Sequence, residues 1–413
     1  MKYGVIGEHL KHSFSKEIHS KISDYVYEIK EISPENLEDF IKEKDFYGIN
    51  VTIPYKEKVI PYLDFISDSA KKIGAVNTIV NRDGKLFGYN TDYMGMRELI
   101  IKTYGEIKDK KVLILGAGGT SKTAHSVVSD MDARNKILKV TRSGKDATIT
   151  YDEAYKNHTD AQVIINTTPV GMYPENSDTA FDISAFLSLE CVIDAVYNPI
   201  RTRLVQSAKE RGIKAEAGLF MLSAQAVYAS AVFTGKDPDK TLCEKVFSEV
   251  LSEKENIVLI GMPCSGKTTV GKELAKITGK KFVDTDCEIV KKTGIDIPTY
   301  FQKYGEANFR QLEKEVIEEI SKINSQIIAT GGGCILDFEN VRNLRSNGKI
   351  YFLDRSLENL TPTADRPLSS DKESLEKRYR ERYSKYVSYA DSIIDSNRPI
   401  SEVANDIKGD FYK

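Results

Sequence analysis

Ile257-Val258-Leu259-Ile260-Gly261-Met262-Pro263-Cys264-Ser265-Gly266-Lys267-Thr268 decides how the last third of the chain is read. An apolar run of strand length enters a turn that satisfies G-x-x-x-x-G-K-[ST], and a helical pattern follows whose stop is Gly279. In that context the turn predicts a phosphate loop for ATP or GTP. Main-chain N–H groups cradle phosphate oxygens, Lys267 reaches the outer phosphates, and the Thr268 hydroxyl can ligate Mg²⁺. Gly261, Cys264, Ser265, Gly266, Lys267, Thr268 and Thr269 are the expected nucleotide-binding residues.

A second turn of the same construction lies upstream. Lys111-Val112-Leu113-Ile114-Leu115 runs into Gly116-Ala117-Gly118-Gly119-Thr120-Ser121 and then into a helical pattern, the setting of a dinucleotide pyrophosphate. Gly116 permits the tight turn and Gly118 lets backbone approach the phosphates, while Ser121 occupies the third-glycine slot. The next strand, Ile137–Val140, ends in Thr141-Arg142-Ser143 rather than in an acid that would hold a ribose 2′-hydroxyl. Arginine there suits a 2′-phosphate, so NADP is expected over NAD.

Around these turns the chain reads as α/β throughout. Its 413 residues predict two or three domains. Residues 1–100, completed by a returning helical stretch 221–251, form a mixed α/β substrate domain. Residues 101–220 form a Rossmann-type domain, the polar run 252–256 a linker, and 257–413 a P-loop domain with a central parallel sheet. A net charge of −2 gives no field that would draw nucleic acid or an anionic membrane. No apolar run reaches membrane-spanning length and no secretory signal precedes the first strand, so a cytoplasmic protein is expected. Five scattered cysteines without C-x-x-C spacing support neither a disulfide framework nor a zinc site.

Polar clusters fall where core would be apolar: Ser13 and Ser15, Asn50–Lys56, Gly74–Thr78, Gly88–Asp92, Asn166–Met172, Asp194–Pro199 and Gly218–Ala226. In order and spacing these resemble the shikimate dehydrogenase family across residues 1 to about 250. The resemblance implies that Ser13 and Ser15 hold the substrate carboxylate. It sets Thr52, Asn77, Asp92 and Gln225 around the ring hydroxyls, and Lys56 and Asp92 at the reacting oxygen. It also adds Tyr197 and Gly218 to the NADP(H) site of Gly116–Thr120 and Thr141–Ser143.

Beyond the phosphate loop, Asp284-Thr285-Asp286, Tyr304–Arg310 with Glu313, Thr330–Gly333, Asp365–Leu368, and Arg382 with Tyr386 look like shikimate kinase, which implies that 257–413 is a P-loop small-molecule kinase domain. That likeness implies Asp286 at the attacking hydroxyl, Arg310, Gly332 and Arg382 on the substrate, and Arg366 in a lid over ATP. Lys267 would act on the phosphates, with Thr268 and Asp284 at Mg²⁺. Three positions depart from the family patterns: Lys16 where proline is usual, Thr141 where asparagine is common, and Cys264 where glycine is usual.

The two halves together imply reduction of 3-dehydroshikimate to shikimate with NADPH, then its phosphorylation by ATP. The expected partners are small molecules, in a monomer or homodimer. A non-catalytic sensor reusing both folds, or an NAD-preferring quinate/shikimate dehydrogenase, are the alternatives. The retained Lys56, Asp92, Lys267, Asp286 and Arg310 weigh against the first, and Arg142 against the second.

Overall fold

Short β-branched runs build three sheets. In this computed structural model, residues 1–10, 14–132, 136–145, 148–176, 178–360 and 372–413 are described. They form two compact units, Met1–Leu251 and Ser252–Lys413.

The first unit begins with β1 (Tyr3–Gly7), β2 (Tyr27–Glu31), β3 (Gly48–Val51), β4 (Phe65–Ile66), β5 (Thr78–Arg82) and β6 (Lys85–Tyr89), arranged β2-β1-β3-β5-β6-β4. β5 runs antiparallel to both neighbours. The β5–β6 reversal is made by Asp83 and Gly84, both at positive φ (52° and 80°), as an Asp-Gly hairpin requires.

The second sheet holds β7 (Val112–Leu115), β8 (Ile137–Thr141), β9 (Ile149–Thr150), β10 (Val163–Asn166), β11 (Cys191–Asp194) and β12 (Lys214–Glu216). All are parallel, in the order β12-β11-β10-β7-β8-β9. The order reverses beside β7, so the crevice at the carboxyl ends of the strands opens where Gly116–Thr120 follows β7. This is the doubly wound Rossmann arrangement.

Two helices follow the second sheet, and the first of them returns to the first sheet. The helical stretch expected over 221–251 consists of the helices Leu219–Thr234 and Lys240–Lys254, divided where Gly235 takes a left-handed C-cap (φ 68°) shortly before Pro238. Leu219–Thr234 packs against the helix Thr91–Thr103, and the approach is close. A Cβ on Gly95 would lie 2.6 Å from Met221 O and 2.9 Å from Gln225 Cβ. Thr91–Thr103 also runs across residue 100, where the substrate domain was expected to end.

The second unit is a parallel sheet of β13 (Asn256–Ile260), β14 (Lys281–Asp284), β15 (Gln326–Ala329), β16 (Gly348–Asp354) and β17 (Ser392–Asp395), ordered β14-β15-β13-β16-β17. The expected linker 252–256 is not irregular. Ser252–Lys254 complete the helix Lys240–Lys254 and Asn256 opens β13, because Ser, Glu and Lys sustain a last helical turn without apolar contacts. Lys280 Nζ donates to the carbonyls of Ser252, Glu253 and Glu255, as a cation at a helix C-terminus should.

His19 is the conspicuous polar residue in the first core. It is fully buried, its ring stacks on Tyr27 at 3.8 Å, and its Nδ1 bonds the Tyr25 hydroxyl at 2.7 Å. Burial disfavours the imidazolium and pushes its pKa down to about 3. A folded pKa below the unfolded one makes the neutral ring's contribution complete above about pH 6.5 and lost progressively toward pH 3. The stability advantage of wild type over His19→Phe should therefore shrink by about 1.4 kcal/mol per pH unit below pH 6.5. Urea unfolding read by amide hydrogen exchange in β1–β6 measures it, and a pH-independent difference would refute it.

Candidate active sites

A cleft of about 500 Å³ opens at the carboxyl ends of the first unit's strands. Of the residues expected around the substrate, Ser15, Thr52, Lys56, Asn77, Asp92 and Gln225 all line it, while Ser13 lies outside the described residues. Thr120, Tyr197 and Gly218 line it from the Rossmann side. Asn50, Met172, Ala195, Met221 and Leu222 also line it and were not singled out from the sequence. Asn50 sits in a quoted cluster, but nothing in its spacing marks it.

Lys56 and Asp92 meet directly, with Lys56 Nζ donating to Asp92 Oδ2 at 2.6 Å and both side chains half-buried. Local structure holds each partner. Val76 N donates to Lys56 O at 2.8 Å, tying the lysine's turn to Ala75–Asn77. Asp92 stands in the first turn of Thr91–Thr103, whose N-cap Asn90 accepts from Tyr93 N and donates to Ala75 O. An ammonium so placed can stabilise negative charge on a nearby oxygen and give it a proton.

At the dinucleotide turn Gly116 has φ 110°, and a Cβ there would lie 2.9 Å from Thr167 Oγ1. Ser121, the departure from the glycine pattern, is buried and donates from Oγ to Gly116 O at 2.7 Å, so the hydroxyl pins the turn from inside. Ala117, Gly118 and Gly119 are exposed, and no atom lies within 4 Å of a Cβ on either glycine. Thr141 is spent on its own loop, accepting from Gly144 N and bonding Thr148, while Arg142 and Ser143 are exposed beyond β8.

Asp194 has a structural role that its place in the sequence did not reveal. Fully buried at the end of β11, it accepts from Asn166 Nδ2 (2.9 Å), Thr202 Oγ1 (2.7 Å) and Val196 N (3.0 Å) and so anchors Ala195–Tyr197 against the cleft. Burial pushes its carboxyl up to about 6 despite these donors. Gly218 closes the same loop. Its N–H donates to Val196 O, and a Cβ would lie 2.7 Å from Ala195 C.

In the second unit the phosphate loop takes left-handed backbone at Cys264 (φ 66°) and Gly266 (φ 94°), and Gly261 has φ 148°. The conformation at 264 is one glycine adopts freely and cysteine adopts at a cost of order 1 kcal/mol. Lys267 Nζ donates to Gly261 O and Met262 O, both at 2.8 Å. Ser265 is buried beneath the loop and Thr269 exposed one turn on. Thr268 Oγ1 donates to Asp284 Oδ2 at 2.8 Å, and Asp284 Oδ1 caps the next helix by accepting from Asp286 N. A hydroxyl beside one carboxylate fits the sparse protein ligation of Mg²⁺ at a nucleotide site. Among the described residues no three His, Cys, Asp or Glu side chains cluster as a metal cage.

Gly331, Gly332 and Gly333 are the point on which the remaining residues converge. A Cβ on Gly331 would lie 2.8 Å from Asp286 Oδ1 and 3.0 Å from Glu313 Oε1, one on Gly332 2.8 Å from Pro263 Cδ, and one on Gly333 2.6 Å from Arg310 Cζ. The Gly332 carbonyl accepts from Arg382 Nη1 (3.1 Å) and from the Tyr386 hydroxyl. The triplet is thus more than a turn, because it lets Asp286, Arg310, Arg382 and the phosphate loop share one wall. Glu313, not among the expected site residues, is buried and accepts from Arg310 Nη1 at 2.8 Å. Desolvation lifts its carboxyl above the ordinary carboxylate range against the pull of Arg310. The helix Ile297–Ser321 that carries both breaks at Gly305 (φ 79°), five residues before Arg310. Arg366 lies outside the described residues.

The family model "Shikimate dehydrogenase substrate binding domain" matches residues 5–79, and "Shikimate kinase" matches residues 263–410. The shikimate dehydrogenase (NADP(+)) of Clostridium perfringens strain SM101 is 37% identical over 265 residues, covering 60% of this chain and 97% of that protein. A chorismate mutase/shikimate 5-dehydrogenase fusion protein from Clostridium acetobutylicum superposes with TM-score 0.57 at 36% identity, over 61% of this chain and 97% of that one. The shikimate 5-dehydrogenase of Thermus thermophilus, solved with NADP(H) and shikimate, gives TM-score 0.54 at 28% identity over 60% and 99%. No described helix is long and apolar enough to cross a membrane.

Gly333→Ala should push the Arg310 guanidinium aside, since a flexible side-chain end gives way more cheaply than backbone. The expected result is a fall of about tenfold or more in affinity for a carboxylated substrate with the melting temperature little changed. Calorimetric titration with shikimate reads the first and thermal unfolding the second.

Proposed function

We propose that this chain, which belongs to the shikimate dehydrogenase family and carries a shikimate kinase domain after it, works in the order reduction then phosphorylation. It is a bifunctional shikimate-pathway enzyme, an NADP-dependent oxidoreductase joined to a phosphotransferase. The reading is that 3-dehydroshikimate is reduced to shikimate in the first unit and that shikimate is phosphorylated on its 3-hydroxyl in the second. The observation that carries the first step is the 2.6 Å Lys56–Asp92 pair in a cleft whose far wall includes Thr120, beside the dinucleotide turn.

In the cleft Ser15, with Ser13, binds the ring carboxylate, and Thr52, Asn77 and Gln225 orient the ring hydroxyls. NADPH, when bound, supplies hydride to the ketone carbon. As charge grows on the ketone oxygen Lys56 Nζ stabilises it and delivers the proton that completes the alcohol, while Asp92 holds the ammonium in place. Ala117, Gly118, Gly119 and Tyr197 form the cofactor's bed, and Arg142 and Ser143 receive the 2′-phosphate.

In the second unit Arg310 and Arg382 clamp the same carboxylate bidentately and Gly332 packs beside the ring. Asp286 accepts the proton of the attacking hydroxyl. Glu313 keeps Arg310 extended toward the substrate. Lys267 and the N–H groups of Gly261–Thr269 hold the ATP phosphates, Arg366 covers them, and the γ-phosphoryl passes to the hydroxyl oxygen as ADP leaves. Thr268 and Asp284 would hold Mg²⁺, which neutralises phosphate charge.

The direct test supplies 3-dehydroshikimate, NADPH and ATP·Mg²⁺ and follows shikimate and shikimate 3-phosphate by mass. Lys56→Ala should abolish NADPH oxidation and leave phosphorylation of added shikimate intact, and Lys267→Ala should do the reverse. Loss of both activities in either variant would contradict separate sites. A charge-assisted bond to a 2′-phosphate contributes roughly 1.5–3 kcal/mol, so Arg142→Ala should raise KM for NADPH about 10–100-fold and leave that for NADH nearly unchanged. Equal effects on the two cofactors would return the NAD-linked reading to consideration.

A further inference from the structure

Asn77 faces the cleft with its side-chain oxygen already occupied. Asn77 Oδ1 lies 2.7 Å from Thr91 N, 3.0 Å from Thr78 Oγ1 and 3.2 Å from Thr91 Oγ1, all in donor geometry. The amide nitrogen is the only polar atom of that side chain left for a ligand, so Asn77 enters the cleft as a donor.

The Thr91 N–H sets this polarity, and a chain of side chains behind the cleft wall reinforces it. Thr78 is fully buried and its hydroxyl has one proton to give. It accepts from Asn50 Nδ2 at 3.0 Å, which leaves its proton for Asn77 Oδ1. The Thr91 hydroxyl, 3.0 Å from that of Thr78, lies 3.2 Å from the same Asn77 oxygen and 3.4 Å from Gln225 Oε1. Asn50 Nδ2 also donates to the Asn77 carbonyl at 3.2 Å, and Asn50 Oδ1 accepts from the Tyr27 hydroxyl at 2.7 Å. Tyr27 is in turn held by its stack on His19. The chain therefore runs in one direction, from Tyr27 O–H through the Asn50 amide and the Thr78 hydroxyl to the Asn77 oxygen. Thr91, whose N–H shares that oxygen, immediately precedes Asp92, so the same amide also fastens the helix turn that carries the acid.

We propose that Tyr27 and Thr78, which do not line the cleft, are positioning residues that hold Asn77 in its donor orientation and so select a substrate oxygen that accepts a hydrogen bond at that place on the ring. The inference rests on the dehydrogenase reading of this cleft. A ketone oxygen, or a hydroxyl whose own proton goes to Asp92, meets the requirement. Without the chain, Thr91 alone still holds the Asn77 oxygen, and the amide loses the Thr78 donor that completes its orientation toward such a group.

Tyr27→Phe keeps the ring and its stack but removes the donor, and Thr78→Val keeps the branched shape but removes the hydroxyl. Each should raise KM for 3-dehydroshikimate about 5–20-fold with KM for NADPH and the kinase rate within twofold of wild type. Thr78→Ser should restore the wild-type KM, and the double variant should be no more than twofold worse than the worse single, since both changes break one chain. An unchanged KM for 3-dehydroshikimate, an equal rise for NADPH, failure of serine to rescue, or a multiplicative double variant would each overturn the proposal. Should Tyr27→Phe fail to fold, the Thr78 Val/Ser pair decides alone. A wild-type chain that cannot reduce 3-dehydroshikimate would remove the functional reading and this inference together, whereas an active wild type with indifferent variants removes only this inference.

Discussion

A helix that begins at glycine starts with main-chain N–H groups that no side chain of its own cap can satisfy. At several other helices the chain answers this locally. Thr150 and Glu153 form a capping box, and Thr202, Asp284, Asp296 and Asp337 each accept from the first turn they precede. At Gly118 and Gly266 there is no such acceptor, and both caps follow the strand from which their sheet's order turns, β7 and β13. These two caps fall at the two crevices, where a phosphate oxygen is the acceptor that suits the donors and the helix dipole. Gly218 also opens a helix without a side-chain acceptor, but it follows the edge strand β12, so Gly118 and Gly266 are the glycine starts that fall where a sheet's order turns.

Close backbone approach is the second constraint, and it is what gathers the polar groups. Gly95 lets two helices meet so that Asp92 and Gln225 face one cleft, and Gly218 lets the Ala195–Tyr197 loop lie against its wall. Gly331–Gly333 do the same for Asp286, Glu313, Arg310 and Pro263. None of these glycines has a positive φ. Their requirement is space, which explains why small residues stand beside the charged ones rather than at random along the helices.

The parts legible in the sequence are those whose chemistry is contiguous in the chain. A strand, a glycine turn and a helix stand side by side at 112–130 and 257–278, and the Asp83-Gly84 hairpin is likewise local. Lys56 and Asp92 needed the family likeness, since 36 residues separate them and nothing in either neighbourhood names the other. Glu313, Asp194 and Asn50 escaped for a related reason. Asn50 and Asp194 bond across the fold to Tyr27, Thr78 and Asn166, whereas Glu313 bonds Arg310 three residues back in its own helix, and in all three cases a buried polar residue looks in sequence like any capping or surface residue. The left-handed cap at Gly235 that divides Leu219–Thr234 from Lys240–Lys254 and the helical turn at 252–254 are local as well, the first a matter of C-cap geometry and the second of helix propensity.

Buried polar groups are costly unless every donor has an acceptor, so a chain such as Tyr27–Asn50–Thr78–Asn77 survives in a core only when it is satisfied along its whole length. That same completeness removes alternatives at its end. With one proton per hydroxyl and a carbonyl beside Asn50 Nδ2, reversing any link sets two donors or two acceptors face to face. Lys56, Asp92 and Asn77 then present an ordered set to the cleft, two donors and one acceptor. Preorganisation of that kind spares the site a rearrangement at the moment of reaction, and it is supplied by residues that the reacting molecule does not touch.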